Sequence, residues 1–284
     1  MRRWKRLRNR RDAECSNRWW TFRQQMKFMA LPGIIGVGIL YLIPGCALFY
    51  YALINNVFQK KFVGLENFLE ILSNPYFLLA LKNTILMLGL FLLLTLLFGM
   101  ILCIPVAFFG WKMAAFSLIL LVPLFMPSVL SVEIVEMFGG SWSPRMQLLA
   151  LFLWRNTGAV FLLLAVGLQS LDRELLDAAK MDGAGRLDIF WHIHLPMIRV
   201  YFGVSAVFLI MQFFGIFRES YLLFGTSFPP DEVYLLQHYM HNHFLRLNYP
   251  YLAASALLFT LFLISAVAIT RIMVIYVRRE GKDR

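Results

Sequence analysis

NTILMLGLFLLLTLLFGMILCIPVAFFGW, residues 83–111, lies between Lys82 and Lys112 and holds no charged side chain. A helix rises about 1.5 Å per residue, so roughly 20 apolar residues cross a hydrocarbon core of about 30 Å. The run is more than long enough. In lipid every backbone polar group must be paired within its own segment, which makes the run a helix. Barrel strands would alternate apolar and polar residues over about 10 positions, and no such alternation is present.

Similar runs lie on either side. Reading between charged residues predicts six spans, at about 31–54, 84–109, 113–132, 148–171, 200–217 and 251–270. The fold class is therefore all-α, a polytopic membrane protein with six transmembrane helices. Composition agrees: 60% of the 284 residues are hydrophobic and 15% charged, against about 45–50% and about 25% in soluble domains. The net charge of +11 does not indicate a nucleic-acid partner, because the basic residues gather at the chain ends and beside apolar runs, as membrane flanks do.

Positive residues set the orientation. With the N-terminus in the cytoplasm, twenty of the 27 Lys and Arg fall on that side, six fall outside, and Arg155 lies within a span. Residues 1–27 are then a basic cytoplasmic tail, 28–276 the membrane domain, and 277–284 a second cytoplasmic tail. The tail is too long and too basic for a cleaved signal. Cys15, Cys46 and Cys103 are odd in number and widely spaced, so no disulfide framework or zinc site is implied. No internal repeat or soluble domain is evident.

One segment between spans carries more information than the rest. Residues 172–199 read DRELLDAAKMDGAGRLDIFWHIHLPMIR. Asp172 is placed as an N-cap, and Glu174 puts negative charge in the first turn. Arg173 and Asp177, and Asp177 and Lys180, are spaced to pair along a helix. Gly183 is placed to end that helix. A second short helix, about 187–194, runs to Pro196. Physics alone allows an ordinary amphipathic interfacial loop here.

This stretch resembles the cytoplasmic EAA loop of binding-protein-dependent ABC importer permeases. That pattern is E-A-A, three residues, Gly, then about eleven residues to a Leu-Pro-like ending. It appears as Asp177-Ala178-Ala179, Lys180-Met181-Asp182, Gly183-Ala184 and Leu195-Pro196, with Asp in place of the usual Glu. Residues 62–68 (FVGLENF), Asn83-Thr84 and residues 251–256 (YLAASA) resemble the carbohydrate-uptake branch, so the resemblance covers roughly 28–276. It is similar to the first permease of maltose- and glycerol-phosphate-type pairs. Two outer stretches depart from the family: 133–147 is shortened, and a Gly-Gly-Gly-Pro tract is replaced by residues 224–230 (FGTSFPP).

The resemblance implies the type I importer fold and a heterodimer with a second permease subunit. It also implies a separate ATP-binding cassette ATPase dimer, an extracytoplasmic solute-binding protein, and alternating access for a sugar or oligosaccharide across the cell membrane. Asp177, Ala178, Ala179, Asp182, Gly183, Ala184, Leu195 and Pro196 would form the ATPase-coupling loop. No cofactor is expected on this chain, which has no phosphate-binding loop motif; ATP and Mg would sit on the partner ATPase. The chain would thus be a transport subunit and not an enzyme.

Polar residues in the spans are weighed against packing roles. Asn83, Arg155, Asn156 and Gln212 are the candidates for a substrate pathway. Arg155 can instead snorkel outward, and the amides can bond neighbouring helices. Arg218 and Glu219 read as a pair at an outer helix end. His238, His241 and His243 invite a metal reading, but no Cys or second cluster accompanies them, and a solvated outer helix is preferred. Two rival functions are an ion-gradient-driven secondary transporter and a non-transport membrane protein. The first would normally show paired repeats and acidic residues within its spans, whereas every Asp and Glu lies outside the six runs.

Overall fold

The structure, a computed structural model, describes residue 29 and residues 31–109 and 117–280, with side chains except at 107–109, 117–118, 173 and 266–280. The 1–27 tail, the end of the 277–284 tail and the start of the third predicted span lie outside the described residues. Helices dominate the described residues, and the strand content is one isolated bridge, Ile54 with Phe62.

The chain divides into two compact units, one of residues up to Ile71 together with Leu247 onward, the other Leu72–Arg246. In the first unit, α1 (Leu31–Ala52) packs against α11 (Tyr249–Glu280), with Tyr51 and Tyr249 in ring contact at 6.2 Å. The Asn67 amide, on α2 (Glu66–Ser73), donates to the carbonyls of Ala52 and Ile54 at 2.8 and 2.9 Å. It thereby satisfies acceptors that the end of α1 leaves open.

In the second unit α6 (Pro144–Gln169) is central. Around it pack α3 (Pro75–Phe109), α4 (Ser117–Phe125), α5 (Ser128–Gly139) and α9 (Arg199–Phe224). Phe91, Phe152 and Phe213, one each from α3, α6 and α9, meet at 5.3 to 6.3 Å and fix the core. Close approach elsewhere depends on Gly158, where a Cβ would overlap the Leu120 carbonyl of α4. Small residues at helix crossings do this in membranes, because lipid tails provide no hydrophobic drive between apolar helices. Buried Thr84 and Thr95 return their hydroxyls to carbonyls of their own helix, four residues back.

Among the described residues, four helices are long and apolar enough to cross a membrane: Leu31–Ala52, Pro75–Val106, Pro144–Gln169 and Arg199–Phe224. Helix α11 begins apolar and runs for 32 residues. The third predicted span, 113–132, is not one helix. It stops at Phe125 and restarts at Ser128. Pro127 is the reason: it lacks an N–H and drives the preceding residue out of helical geometry. The fifth predicted span also differs, since α9 continues past Phe217 to Phe224 and takes Glu219 into the helix.

Among the described residues, two π-helical turns interrupt otherwise regular helix, at Gly38–Leu42 and Phe190–His194. Each is closed by a backbone bond spanning five residues, Ile43 to Gly38 and Leu195 to Phe190. Each is followed by a proline, Pro44 or Pro196. A helical proline clashes with the carbonyl four residues before it. Widening the preceding turn by one residue moves that carbonyl aside.

Candidate functional site

The segment between α6 and α9 folds as two short helices. Asp172 caps α7 (Arg173–Met181), its carboxylate accepting the Glu174 N–H at 3.1 Å. Lys180 pairs with Asp177 at 2.7 Å on the wet face, where both are exposed and the bond contributes little. At the other end, Ala184 N–H donates to Ala179 and Gly183 N–H to Lys180, both at 3.0 Å. These two bonds make a Schellman motif, which requires a left-handed residue at Gly183, and its φ is +86°.

The chain turns directly into α8, residues 186–197, whose start is held by the Asp188 carboxylate accepting Gly185 N–H at 3.1 Å. Ile189, Phe190 and His194 are buried against the protein. Burial lowers the His194 pKa below its ordinary value. Four apolar side chains of the segment, Leu175, Met181, Leu187 and Trp191, are exposed among its charged residues, Met181 at 89%. Around Gly183 there is open space. All eight sequence-predicted loop residues lie within this capped pair or at its ends. Pro196 lies next to the last residue of α8, and α9 begins at Arg199.

A second site lies inside the helices. Arg155 of α6 does not snorkel. Its Nη1 donates to the Glu219 carboxylate of α9 at 2.6 Å and to Ser128 Oγ at 3.1 Å, and its Nη2 donates to the Met126 carbonyl at 3.4 Å. Ser128 Oγ donates to the same Glu219 oxygen at 2.8 Å, and Arg218 reaches it at 3.2 Å. Arg155 and Glu219 are 14% and 8% exposed at the side chain. The cluster sits on the Pro127 break, where interrupted helix leaves carbonyls without partners. One guanidinium thus ties α6, α9 and the α4–α5 break together.

Beside this cluster is a cavity of about 40 Å³, lined in part by Arg155, Asn156, Gln212, Arg218 and Glu219. Asn156 is buried; its Nδ2 donates to Phe152 at 2.8 Å, while its Oδ1 has no partner. The structure therefore brings together three of the four pathway candidates. Asn83 is not among them. Its amide donates to the carbonyls of Asp231 and Tyr234 at 2.6 and 3.1 Å, fastening the 231–235 segment to α3. Next to it, Thr84 Oγ1 accepts the Leu236 N–H at 2.9 Å.

Glu219 and Ser128 were not candidates from sequence. The signal for Glu219 was Arg155 itself, since a buried cation needs an anion at its depth. The acidic residue within α9 also removes the argument that no carboxylate lies within a span.

The three clustered histidines pack with aromatic rings. His238, fully buried on α10 (Leu236–Leu245), accepts the Leu235 N–H at Nδ1, at 3.1 Å. Its Nε2 must then carry the proton and faces Ser220 Oγ at 3.2 Å. Burial, with a smaller contribution from His241, pushes its pKa down to about 4. His241 lies against Phe217 and Tyr221, and His243 against Tyr239.

Comparison with known proteins places this geometry. Residues 27–280 match the family described as binding-protein-dependent transport system inner membrane component. Among curated relatives, the polygalacturonan/rhamnogalacturonan transport system permease YteP of Bacillus subtilis is 27% identical over 241 residues, covering 72% of this chain and 73% of its own. The arabinooligosaccharides transport permease AraP of the same organism is 29% identical over 223 residues, covering 67% and 68%. Of solved structures, a bacterial ABC transporter involved in import of the acidic polysaccharide alginate matches with TM-score 0.69 and 21% identity, over 88% of this chain and 95% of that one. At that identity the likeness establishes the all-α importer-permease fold alone. The family match extends over nearly the whole chain, and the chain belongs to the binding-protein-dependent transport system inner membrane components, the permease subunits of ABC importers.

Proposed function

We propose that this chain is one permease subunit of an ATP-driven importer that moves a sugar or oligosaccharide across the cell membrane by alternating access. Its partners in this reading are a second permease subunit, an ATP-binding cassette ATPase dimer holding ATP and Mg, an extracytoplasmic solute-binding protein and the surrounding lipid. Both chain ends and the 172–199 segment face the cytoplasm. The curated relatives that carry a transport name for polygalacturonan or arabinooligosaccharides support the carbohydrate class.

One observation carries the coupling role. Residues 172–199 form a separately capped helical pair that leaves Leu175, Met181, Leu187 and Trp191 uncovered. A capped helical pair that leaves large apolar side chains uncovered is suited to lie in a groove of a partner. Asp177, Ala178, Ala179, Asp182, Gly183 and Ala184 would occupy an ATPase groove, and Leu195 and Pro196 would pass its movement to α9. In the membrane, Asn156 and Gln212 would face the substrate pathway. Arg155 would serve that pathway indirectly, by fixing α9 and the α4–α5 break beside it.

The test is Gly183→Asp. An added carboxylate faces open space but meets a backbone of φ +86° and the groove the partner would provide. Uptake should be abolished while membrane insertion persists. Purification of the wild-type chain should bring down an ATPase and a second permease. Normal uptake by the variant would reject the coupling role.

A further inference from the structure

We infer that the segment following α1 lies in the lipid–water interface, with Phe58, Phe62, Leu65 and Leu69 set against acyl chains at the level where α1 leaves the hydrocarbon. The inference needs α1 to cross the membrane and does not depend on what the importer carries.

The height of this segment is fixed by α1. Its 22 residues extend about 33 Å at about 1.5 Å each, just enough for a core of about 30 Å, so Ala52 stands at the hydrocarbon edge. Past that point the chain stays close. Asn55 N–H donates to the Lys61 carbonyl and Val63 N–H to the Leu53 carbonyl, both at 2.9 Å, which folds residues 53–63 into a hairpin on the end of α1. Gly64, at φ +62°, turns the chain into α2. There the short Asn67 side chain reaches the Ala52 and Ile54 carbonyls, so α2 is held beside the last turn of α1 and cannot stand off in water.

The sides of α2 divide by surroundings. Leu65 accepts the first helical bonds, from the Phe68 and Leu69 N–H groups, and so belongs to the helix. At about 100° per residue, three pairs spaced four apart lie on three sides. Asn67 and Ile71 are buried against the protein, Glu66 and Glu70 are exposed and charged, and Leu65 and Leu69 are exposed and apolar. Protein takes the first side, water the second, and lipid suits the third. Phe58 and Phe62 of the hairpin extend that third side, and the four apolar side chains are 66% to 94% exposed. Such a patch is unfavourable in water and marks a contact. Lys60 and Lys61, exposed between the two phenylalanines, are placed to meet headgroup phosphates, since aromatic and basic residues anchor a chain at this depth. A protein groove could cover the same leucines. Lipid is favoured because the apolar stretch of α1 is not buried within the chain, so the bilayer around it already reaches the height of α2.

The test uses the assembled transporter in nanodiscs of phosphatidylethanolamine and phosphatidylglycerol, in a background lacking Cys15, Cys46 and Cys103. A nitroxide is attached in turn at Phe58→Cys, Leu65→Cys, Leu69→Cys and Glu66→Cys. All four positions are exposed, so the substitutions leave the packing intact. Collisions of each label with oxygen, which concentrates in lipid, are compared with those of a water-soluble nickel chelate. The oxygen-to-nickel ratio should be several-fold higher at Phe58, Leu65 and Leu69 than at Glu66. Nickel access at the leucines equal to that at Glu66 would put α2 in water. Shielding of the leucines from both reagents would mean that a protein covers them. Either result overturns the interfacial reading and leaves the importer reading standing. Labels at Leu40→Cys and Leu42→Cys, exposed on nearly opposite sides of α1, separate a deeper failure: oxygen preference at neither would reject α1 as a span, and the inference with it.

Discussion

Arg155 illustrates how a single residue is misjudged when it is read without its partners. Its position within an apolar run was plain, but whether it snorkels, lines a pathway or is neutralised depends on a carboxylate 64 residues away. Removing one member of a buried ion pair costs about 3–5 kcal/mol when the other charge is left unpaired, and here Ser128 and Arg218 still reach Glu219, which places the loss at the low end of that range. Arg155→Met should therefore lower the thermal unfolding temperature of the solubilised protein strongly. Arg155→Met combined with Glu219→Leu should recover most of the loss, and equal effects of the single and double variants would contradict the pairing. His238 makes a second prediction at this scale. Its folded pKa of about 4 lies below the ordinary histidine value. Above pH about 6.5 it is neutral in both states and costs nothing; as the pH falls from there towards 4 only the unfolded chain takes up the proton, and stability is lost, by roughly 3 kcal/mol in full. Thermal unfolding followed from pH 7 to pH 4.5 should show this loss, and His238→Gln should flatten it. The sequence could not foresee this, because three histidines within six residues look alike until burial separates them.

At the scale of elements, most helices were legible and their ends were not. Apolar runs between charges located α1, α3, α6 and α9, but α3 begins at Pro75 and α9 persists to Phe224, since helices continue beyond hydrocarbon wherever the next residues can pack. The third predicted run is divided into two helices because hydropathy does not register a proline break, whereas backbone bonding does. By contrast, the ends of α7 were readable in full: Asp172 and Gly183 act through local bonds, and local bonds are written in adjacent residues. The crossing of α4 over α6 depends on Gly158. Gly158→Ala should force the two helices apart and cost about 1–3 kcal/mol, as overpacking does in a filled interior. Lower yield of assembled transporter with a lowered unfolding temperature is the expected reading; Gly158→Ala behaving as wild type would mean the contact is not tight.

For the molecule as a whole, charge asymmetry gives an orientation that can be checked directly. In a background lacking Cys15, Cys46 and Cys103, Ser227→Cys should react with an impermeant maleimide applied from outside intact cells, whereas Ala178→Cys should react only after permeabilisation. The reverse pattern would invert the topology. The site was half legible at this scale: the 172–199 segment is contiguous in sequence, while the cavity is assembled from α6 and α9 and could be named only as scattered polar residues. The two π-helical turns bear on a different matter, the length of the chain. Each holds one residue more than an α-helix needs, taken up to accommodate Pro44 or Pro196. A codon lost from ordinary helix rotates everything beyond it by about 100°. A codon lost from 38–42 or 190–194, with the following proline changed to alanine, would instead restore regular helix and leave every downstream face where it was. At these two turns a deletion can shorten the gene without rotating the helix that follows.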